Sequence, residues 1–395
     1  MHIVHYLSTI RLEAGGVIRA VLDMAAQLAA RGHCVTLLTF DPKDVPELWN
    51  AGGPGLPSVH KLEGDYTQLA GLNRAFTRQV AACLDGADVV HMHVPWDFVC
   101  CRVAGVANRL GVPYVVALHG MLDDWCMEQR GWKKRLYLSI AGRRLLERAA
   151  AVHCTCRIEA DQASRWYPRG RSEVIPLIFN PSAFKELPGP ELARRAYASA
   201  LGDDGEPVVL FLSRLHPKKR LDILIDAMAR LREIGPPCRL VIAGTGEPEY
   251  EQSMRDLVTR HDLGDRVEFV GFVSGQEKIS LYQACDLFVL PTDQDTWPFA
   301  LIEPLACGLP LVTTRGVDIW QDLESSGGAV IVETTPANLA ETIKDLIDDP
   351  DKCRDMGRRG RQWVLECLDP DRIMDRYEAL YRELGGGSAA GTVNA

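Results

Sequence analysis

Between Pro291 and Gly308 the chain reads Pro-Thr-Asp-Gln-Asp-Thr-Trp-Pro-Phe-Ala-Leu-Ile-Glu-Pro-Leu-Ala-Cys-Gly, and its carboxylates Asp295 and Glu303 are separated by seven residues. At that spacing the first acid can meet one part of a ligand and the second another. Acids at a helix start are also ordinary capping residues. The apolar run Asp286–Pro291, stopped by proline, predicts a buried strand, and Ala300–Cys307, closed by Gly308 with Pro310 behind, predicts a short helix. A strand, a polar loop and a helix start hold an anion well, because free amides and the positive helix end meet at the carboxyl ends of a parallel sheet.

Cations stand nearby in the sequence. Ser213-Arg214-Leu-His-Pro-Lys-Lys219-Arg follows a predicted strand and precedes a helix. Arg offers phosphate oxygens a planar fork and Lys a point charge, so the loop can clamp a diphosphate, or it can be a solvated basic loop. Ala243-Gly244-Thr-Gly246 and Gly15-Gly16 are glycine turns before helices, where a ligand can approach the backbone or the chain simply turns. His119-Gly120 ends another predicted strand, which makes His119 a ligand-facing imidazole or a structural one. His91-Met-His93 places two imidazoles on one face of a strand with no third metal ligand evident, so the pair is read as packing or acceptor-site residues.

The elements that position these groups alternate along the chain. At 395 residues, two domains of about 180 residues are expected. Strands Ile3–Leu7, Val35–Leu38, Val89–His93, Tyr114–His119 and Val152–Thr155 alternate with helices, one of them read over Leu69–Leu84. The pattern resumes with Val208–Leu212, Leu240–Ala243, Val267–Val270, Leu287–Leu290 and Leu311–Thr314, so the class is α/β with two doubly wound parallel sheets across a cleft. The boundaries expected are residues 1–185, a linker 186–206, 207–370, a C-terminal helix 371–384 packing back on the first domain, and a disordered tail 385–395. No apolar run reaches the roughly 18 residues of a membrane span. The start is a strand without a basic region or cleavage site, which predicts a cytoplasmic protein. Twelve scattered cysteines without a CxxC suggest buried thiols, and a charge of −9 leaves no footprint for nucleic acid.

Taken in order, Gly15-Gly16, Ser213-Arg214-Leu-x-x-x-Lys219, Ala243-Gly-x-Gly246, Val267-x-Phe-x-Gly271 and the two-acid element ending Glu303-Pro-Leu-Ala-Cys-Gly308 resemble family 4 of the retaining glycosyltransferases, with the GT-B fold of two facing Rossmann-like domains. The resemblance covers nearly the whole chain to about Leu384. It implies transfer of a hexose or N-acetylhexosamine from a nucleotide diphosphate sugar to a glycan or lipid-linked glycan, in cell-envelope or extracellular polysaccharide synthesis. Arg214 and Lys219 would hold the diphosphate, Glu303 the ribose hydroxyls, the backbone around Phe272 the base, and the amides of Trp297, Phe299 and Ala300 the sugar. Asp295 and His119 would lie at the transferred sugar. The cations stand in for a metal, so neither a metal nor another cofactor is expected, although Asp293-Gln-Asp295 has the look of a metal-binding Asp-x-Asp. With no protein nucleophile in evidence, retention implies front-face attack, a phosphate oxygen accepting the acceptor's proton.

Four positions depart from the family pattern. Asp295 stands where Glu is usual, Pro298 where Gly is common, Arg220 where Gly often follows the lysine, and Phe179-Asn180-Pro181 where Pro-Asn-Gly is frequent. Two alternatives stay open, a nucleotide-sugar epimerase on the same fold and a non-catalytic nucleotide-sugar-binding module. The segment 130–148 reads as one cationic helix whose stripe, Trp132, Leu136, Ile140 and Leu145, offers peripheral contact with anionic lipid, or simply one packed and one solvated face.

Overall fold

The computed structural model describes residues 1–14, 16–64, 74–202 and 205–386. Gly15, the start of the helix read from Leu69, and residues 387–395 of the tail lie outside the described residues, while Gly385 and Gly386, read as tail, close the helix Pro370–Gly386. The chain divides into two units, one of Met1–Phe179 and the segment from Pro370, the other of Asn180–Asp369.

Short, mostly apolar segments rich in Val and interrupted by histidines make the buried central strands of the first unit. They are β1 (His2–Tyr6), β2 (Cys34–Thr39), β3 (Ser58–Lys61), β4 (Val89–His93), β5 (Tyr114–Ala117), β6 (Ala151–Cys154) and β7 (Ser172–Val174), all parallel in the order β3-β2-β1-β4-β5-β6-β7. The edge strands β3 and β7 are polar and only partly buried, and the sequence pattern did not reveal them. One face carries Ile3, Val35, Val89, Val115 and Ala151 and is covered by Ile373, Met374, Tyr377, Leu380 and Tyr381 of the helix Pro370–Gly386. That helix is pinned by Arg31, whose guanidinium bonds Asp371 at 2.8 Å, Asp375 at 2.7 Å and Glu378 at 3.2 Å, three acids one turn apart.

The second unit repeats the plan with β8 (Val208–Leu212), β9 (Arg239–Ala243), β10 (Val267–Gly271), β11 (Leu287–Leu290), β12 (Leu311–Thr314) and β13 (Ala329–Val332), parallel in the order β10-β9-β8-β11-β12-β13. Residues 186–206, read as a linker, contain the helices Glu191–Ala196 and Ala198–Leu201, which belong to this unit; Ser280 bonds both the Gly189 carbonyl and the Ala193 amide. The helix Pro350–Cys367 also escaped the sequence reading. Gly357 and Gly360 give it weak helix propensity, yet a side chain at either would run into Gly308, Leu305 or Gly328, so the glycines let it press against the helix Phe299–Ala306.

The cationic segment 130–148 is helical from Gly131 to Glu147 with a π-helical turn over Leu138–Gly142. Trp132, Leu136 and Ile140 are exposed, as expected of a stripe, whereas Leu145 is buried. Leu145 lies seven residues after the buried Leu138 and shares its inward face, which corrects its place in the stripe. Among the described residues no helix is long and apolar enough to cross a membrane.

Candidate active site

In the second unit the strand order reverses between β8 and β11, and the loops after these two strands carry the predicted cations and acids. Ligands collect at such a switch point because the loops diverge there and leave a crevice at the carboxyl ends of the strands. The loop after β8 leads through a short turn, Pro217–Lys219, into the helix Leu221–Ile234. Arg214 is exposed and has no hydrogen-bond or ion-pair partner among the described residues. Lys219 is nearly buried and its ammonium contacts Asp295, whose other oxygen lies 3.5 Å from Lys218; Thr292 Oγ1 donates to Asp295 at 3.1 Å. Burial pulls the Lys219 pKa down and Asp295 pushes back, the burial effect being the larger. Asp295, predicted at the transferred sugar, is therefore the counterion of Lys219, a contact that spacing in sequence could not show.

Arg220 sits at φ 52°, in the left-handed region that glycine occupies most easily, so this position carries a backbone cost that a glycine would not. Here the arginine is held by Asp222 at 3.2 Å and Asp293 at 3.0 Å. That pairing occupies Asp293, the first acid of Asp-x-Asp, with an arginine.

The glycine turn after β9 has a packing role that its sequence did not reveal. A Cβ on Gly244 would collide with the Ser213 carbonyl, and one on Gly246 with the Leu215 carbonyl; the Leu215 amide also donates to Thr245 at 2.9 Å. These glycines let the loops after β8 and β9 lie side by side and so set the place of Arg214. Gly246→Ala is expected to destabilise the second unit by about 1–3 kcal/mol through overpacking. Gly264→Ala, where a Cβ meets nothing within 4 Å, is the control in denaturant unfolding. Equal midpoints for the two variants would refute the assignment.

Glu303 is in the helix Phe299–Ala306, where Lys278 Nζ reaches one oxygen at 2.8 Å and Tyr282 OH donates to the other at 3.0 Å. Both contacts orient a largely buried carboxylate and leave lone pairs for a ligand's hydroxyls. Pro298 caps that helix without a side-chain bond, and the Ala300 amide has no acceptor among the described residues. Trp297 Nε1 is enclosed and unpartnered, and Phe299 follows at the first helical position. Gly271 ends β10 at φ 76°, and Phe272 after it is 74% exposed.

In the first unit Gly16 opens the helix Gly16–Ala30 after β1. His119 follows β5 at φ 51°, and the next amide, Gly120 N, donates at 2.5 Å to Glu159. Glu159 is fully buried and also accepts from Thr155 N at 2.5 Å and Thr155 Oγ1 at 2.8 Å, so it clamps the turn that carries His119. The structure corrects the reading of His91 and His93. Register sets His5 of β1 opposite His91, and ligand atoms of His5, His91 and His93 lie within 4.8 Å of one another, so a third imidazole is present. His5 Nδ1 is 3.1 Å from His93 Nε2, His93 Nδ1 is 3.0 Å from His119 Nε2, and His91 Nδ1 is 2.7 Å from Tyr381 OH.

Residues 15–177 match the family described as Glycosyl transferase 4-like domain, and residues 195–363 match Glycosyl transferases group 1. The chain belongs to the family 4-type glycosyltransferases. It is 27% identical over 398 residues to the D-inositol 3-phosphate glycosyltransferase of Saccharomonospora viridis, covering 94% of this chain and 90% of that one. It is 26% identical over 404 residues to the alpha-D-kanosaminyltransferase of Streptomyces kanamyceticus, covering 93% and 99%. The crystal structure of Anabaena HepE in complex with UDP is similar with a TM-score of 0.79 at 20% identity, over 97% of this chain and 100% of that one, which shows the GT-B fold with its two Rossmann-like units.

Several residues of this glycosyltransferase's site were not found by sequence reasoning. Lys218, Thr292, Lys278 and Tyr282 hold the two acids; Lys218 lay within the cationic loop without being singled out, and the other three carry no glycine or charge signature that marks them. His5 and Glu159 were invisible for the same reason: a His in an apolar strand and a Glu in a short helix announce nothing until the register brings them beside His93 and Gly120.

Proposed function

We propose that this glycosyltransferase moves a hexose or N-acetylhexosamine from a nucleotide diphosphate sugar to a glycan or lipid-linked glycan acceptor, with retention of configuration and without a metal. The observation that carries the reading is the unpaired, exposed Arg214 one short turn from the buried Lys219, at the strand-order reversal and ahead of a helix N-terminus. HepE was solved with UDP and with UDP-glucose, which supports a nucleotide sugar as donor. Arg214 and Lys219 offset the charge that builds on the leaving diphosphate, the service a divalent ion gives elsewhere. Glu303 takes the ribose hydroxyls, and His119 contacts the transferred sugar. The acceptor hydroxyl attacks from the face the diphosphate leaves, and a phosphate oxygen takes its proton. The exposed stripe Trp132, Leu136 and Ile140, with Lys133, Arg135, Arg143 and Arg144 exposed on the same segment, is proposed to rest on anionic lipid at the inner face of a membrane.

The test is a thermal-shift panel of nucleoside diphosphate sugars, followed by transfer with the best donor in EDTA and determination of the product's anomeric configuration. A donor at 100 times its Kd stabilises by about 2.7 kcal/mol. Inversion, or activity lost in EDTA and restored by one divalent ion, would overturn the mechanism; donor conversion without acceptor would make it an epimerase. Lys219→Ala is expected to weaken nucleoside diphosphate by about 1.5–3 kcal/mol while the nucleoside binds as before. Calorimetry that finds both weakened equally would remove Lys219 from the diphosphate site.

A further inference from the structure

Trp132, Leu136, Ile140, Arg144 and Arg148 recur every four residues, and all five are exposed. A four-residue repeat runs slightly ahead of an α-helix and falls back across a π-helical turn, so the turn Leu138–Gly142 keeps the series on one side of the segment. The apolar stripe thus leads straight into cations. Arg144 and Arg148 line an open basin of about 720 Å³ together with Ser139, Arg143, Glu147 and Arg169. Glu147 is its one acid. That side chain is 10% exposed, its two oxygens take Arg169 Nη2 at 2.8 Å and Arg143 Nε at 3.1 Å, and these guanidiniums hold the carboxyl at about 2. Arg144 and Arg148 have no hydrogen-bond or ion-pair partner among the described residues. Two like charges one turn apart repel, a cost that an anion in the basin removes.

The basin is separate from the site at His119. The strands are parallel, Arg148 and Arg169 stand just before β6 and β7, and His119 follows β5, so the two places lie at opposite ends of the sheet. We infer that the basin is a socket for the terminal phosphate of a membrane lipid, which Arg144 and Arg148 grip while Ile140, Leu136 and Trp132 enter the surrounding acyl layer. A terminal phosphate brings about two negative charges and three acceptor oxygens to two unpaired planar forks. A phosphodiester headgroup has less charge and fewer free oxygens, and suits them less. The stripe beside the basin favours a lipid over a soluble phosphate. The inference rests on the reading of this segment as a lipid contact and adds the headgroup that it selects.

Co-sedimentation of the full chain with phosphatidylcholine vesicles containing phosphatidic acid, or phosphatidylglycerol at matched surface charge, reads the selectivity. Phosphatidic acid should be bound about tenfold more tightly, roughly the worth of one charge-assisted hydrogen bond. Arg144→Gln with Arg148→Gln should lose that preference. Arg144→Lys with Arg148→Lys, which keeps the charge and not the fork, should bind phosphatidylglycerol as the parent does and lose most of the preference. Ile140→Ser should weaken both vesicles alike. Thermal midpoints of the arginine variants should match the parent, since neither side chain holds a partner. Equal binding of the two vesicles by the parent, a preference unmoved by the double Gln substitution, or glycerol 3-phosphate in solution bound as tightly as the vesicle lipid overturns the socket and leaves the lipid contact standing. Absence of binding to either vesicle overturns the lipid contact itself, and the socket with it.

Discussion

Asp295→Asn is expected to destabilise the second unit by about 3 kcal/mol, because it strands a desolvated ammonium. The Lys219 and Asp295 side chains are only 8% and 13% exposed, and Lys218 and Arg214 add positive charge beside them. The carboxylate is the group that raises the Lys219 pKa against burial, so its loss moves that pKa further down. The opposite substitution is milder. Lys219→Met leaves Asp295 with Lys218 and the Thr292 hydroxyl, and about 1 kcal/mol is the expected cost. The pH dependence has a definite sign. With the folded pKa of Lys219 below its unfolded value, the unfolded chain holds more protons between the two, so Asp295→Asn should regain stability as pH rises through the lowered pKa. Urea unfolding of both variants at pH 7 and pH 9 reads the asymmetry. Equal costs for the two substitutions would mean that Asp295 is no counterion.

Mild acid should open the first unit before the second. His5, His91, His93 and His153 are buried there and His119 is partly so, with His153 held down at about 4, His5 and His119 at about 3, and the other two well below the usual value, burial being the leading cause in each. Their folded pKa values are depressed, so below about 6.5 the unfolded chain takes up protons that the folded unit refuses. Stability is complete above that point and declines as pH falls towards the folded values. Each histidine costs about 1.4 kcal/mol per pH unit in that window, so at pH 5.5 the five together approach the whole stability of an ordinary domain, about 5–15 kcal/mol. Hydrogen exchange at pH 7.5, 6.5 and 5.5 should show peptides of β1, β4, β5 and β6 losing protection while β8, β9 and β11 keep theirs. His153→Leu should flatten the decline by about one proton. Loss of the second unit first, or a decline of less than one proton in the first, would contradict the burial of these rings as neutral groups.

The sequence by itself determined the alternation of strands and helices, because central parallel strands are covered on both faces and are rich in Val, Ile and Leu; β8, β9 and β11 follow that rule most closely. It also singled out Arg214, Lys219, Asp295 and Glu303 by type and spacing, with a solvated loop and ordinary capping acids left open until the ordered motifs were taken together. Period two told that His91 and His93 share a face. Edge strands β3, β7 and β13 stayed hidden, being short and half covered, and the helix Pro350–Cys367 was masked by the glycines its packing requires. Only the tertiary structure decided who faces whom. The pairing of Lys219 with Asp295 joins residues 76 apart and that of His5 with His93 residues 88 apart. Gly244 and Gly246 proved to be places where two loops approach closely, a contact that the glycine turn alone did not announce. These outcomes depend on strand order and register, which bring distant residues within a few ångströms, whereas a local sequence pattern carries only which face of its own strand or helix a residue takes.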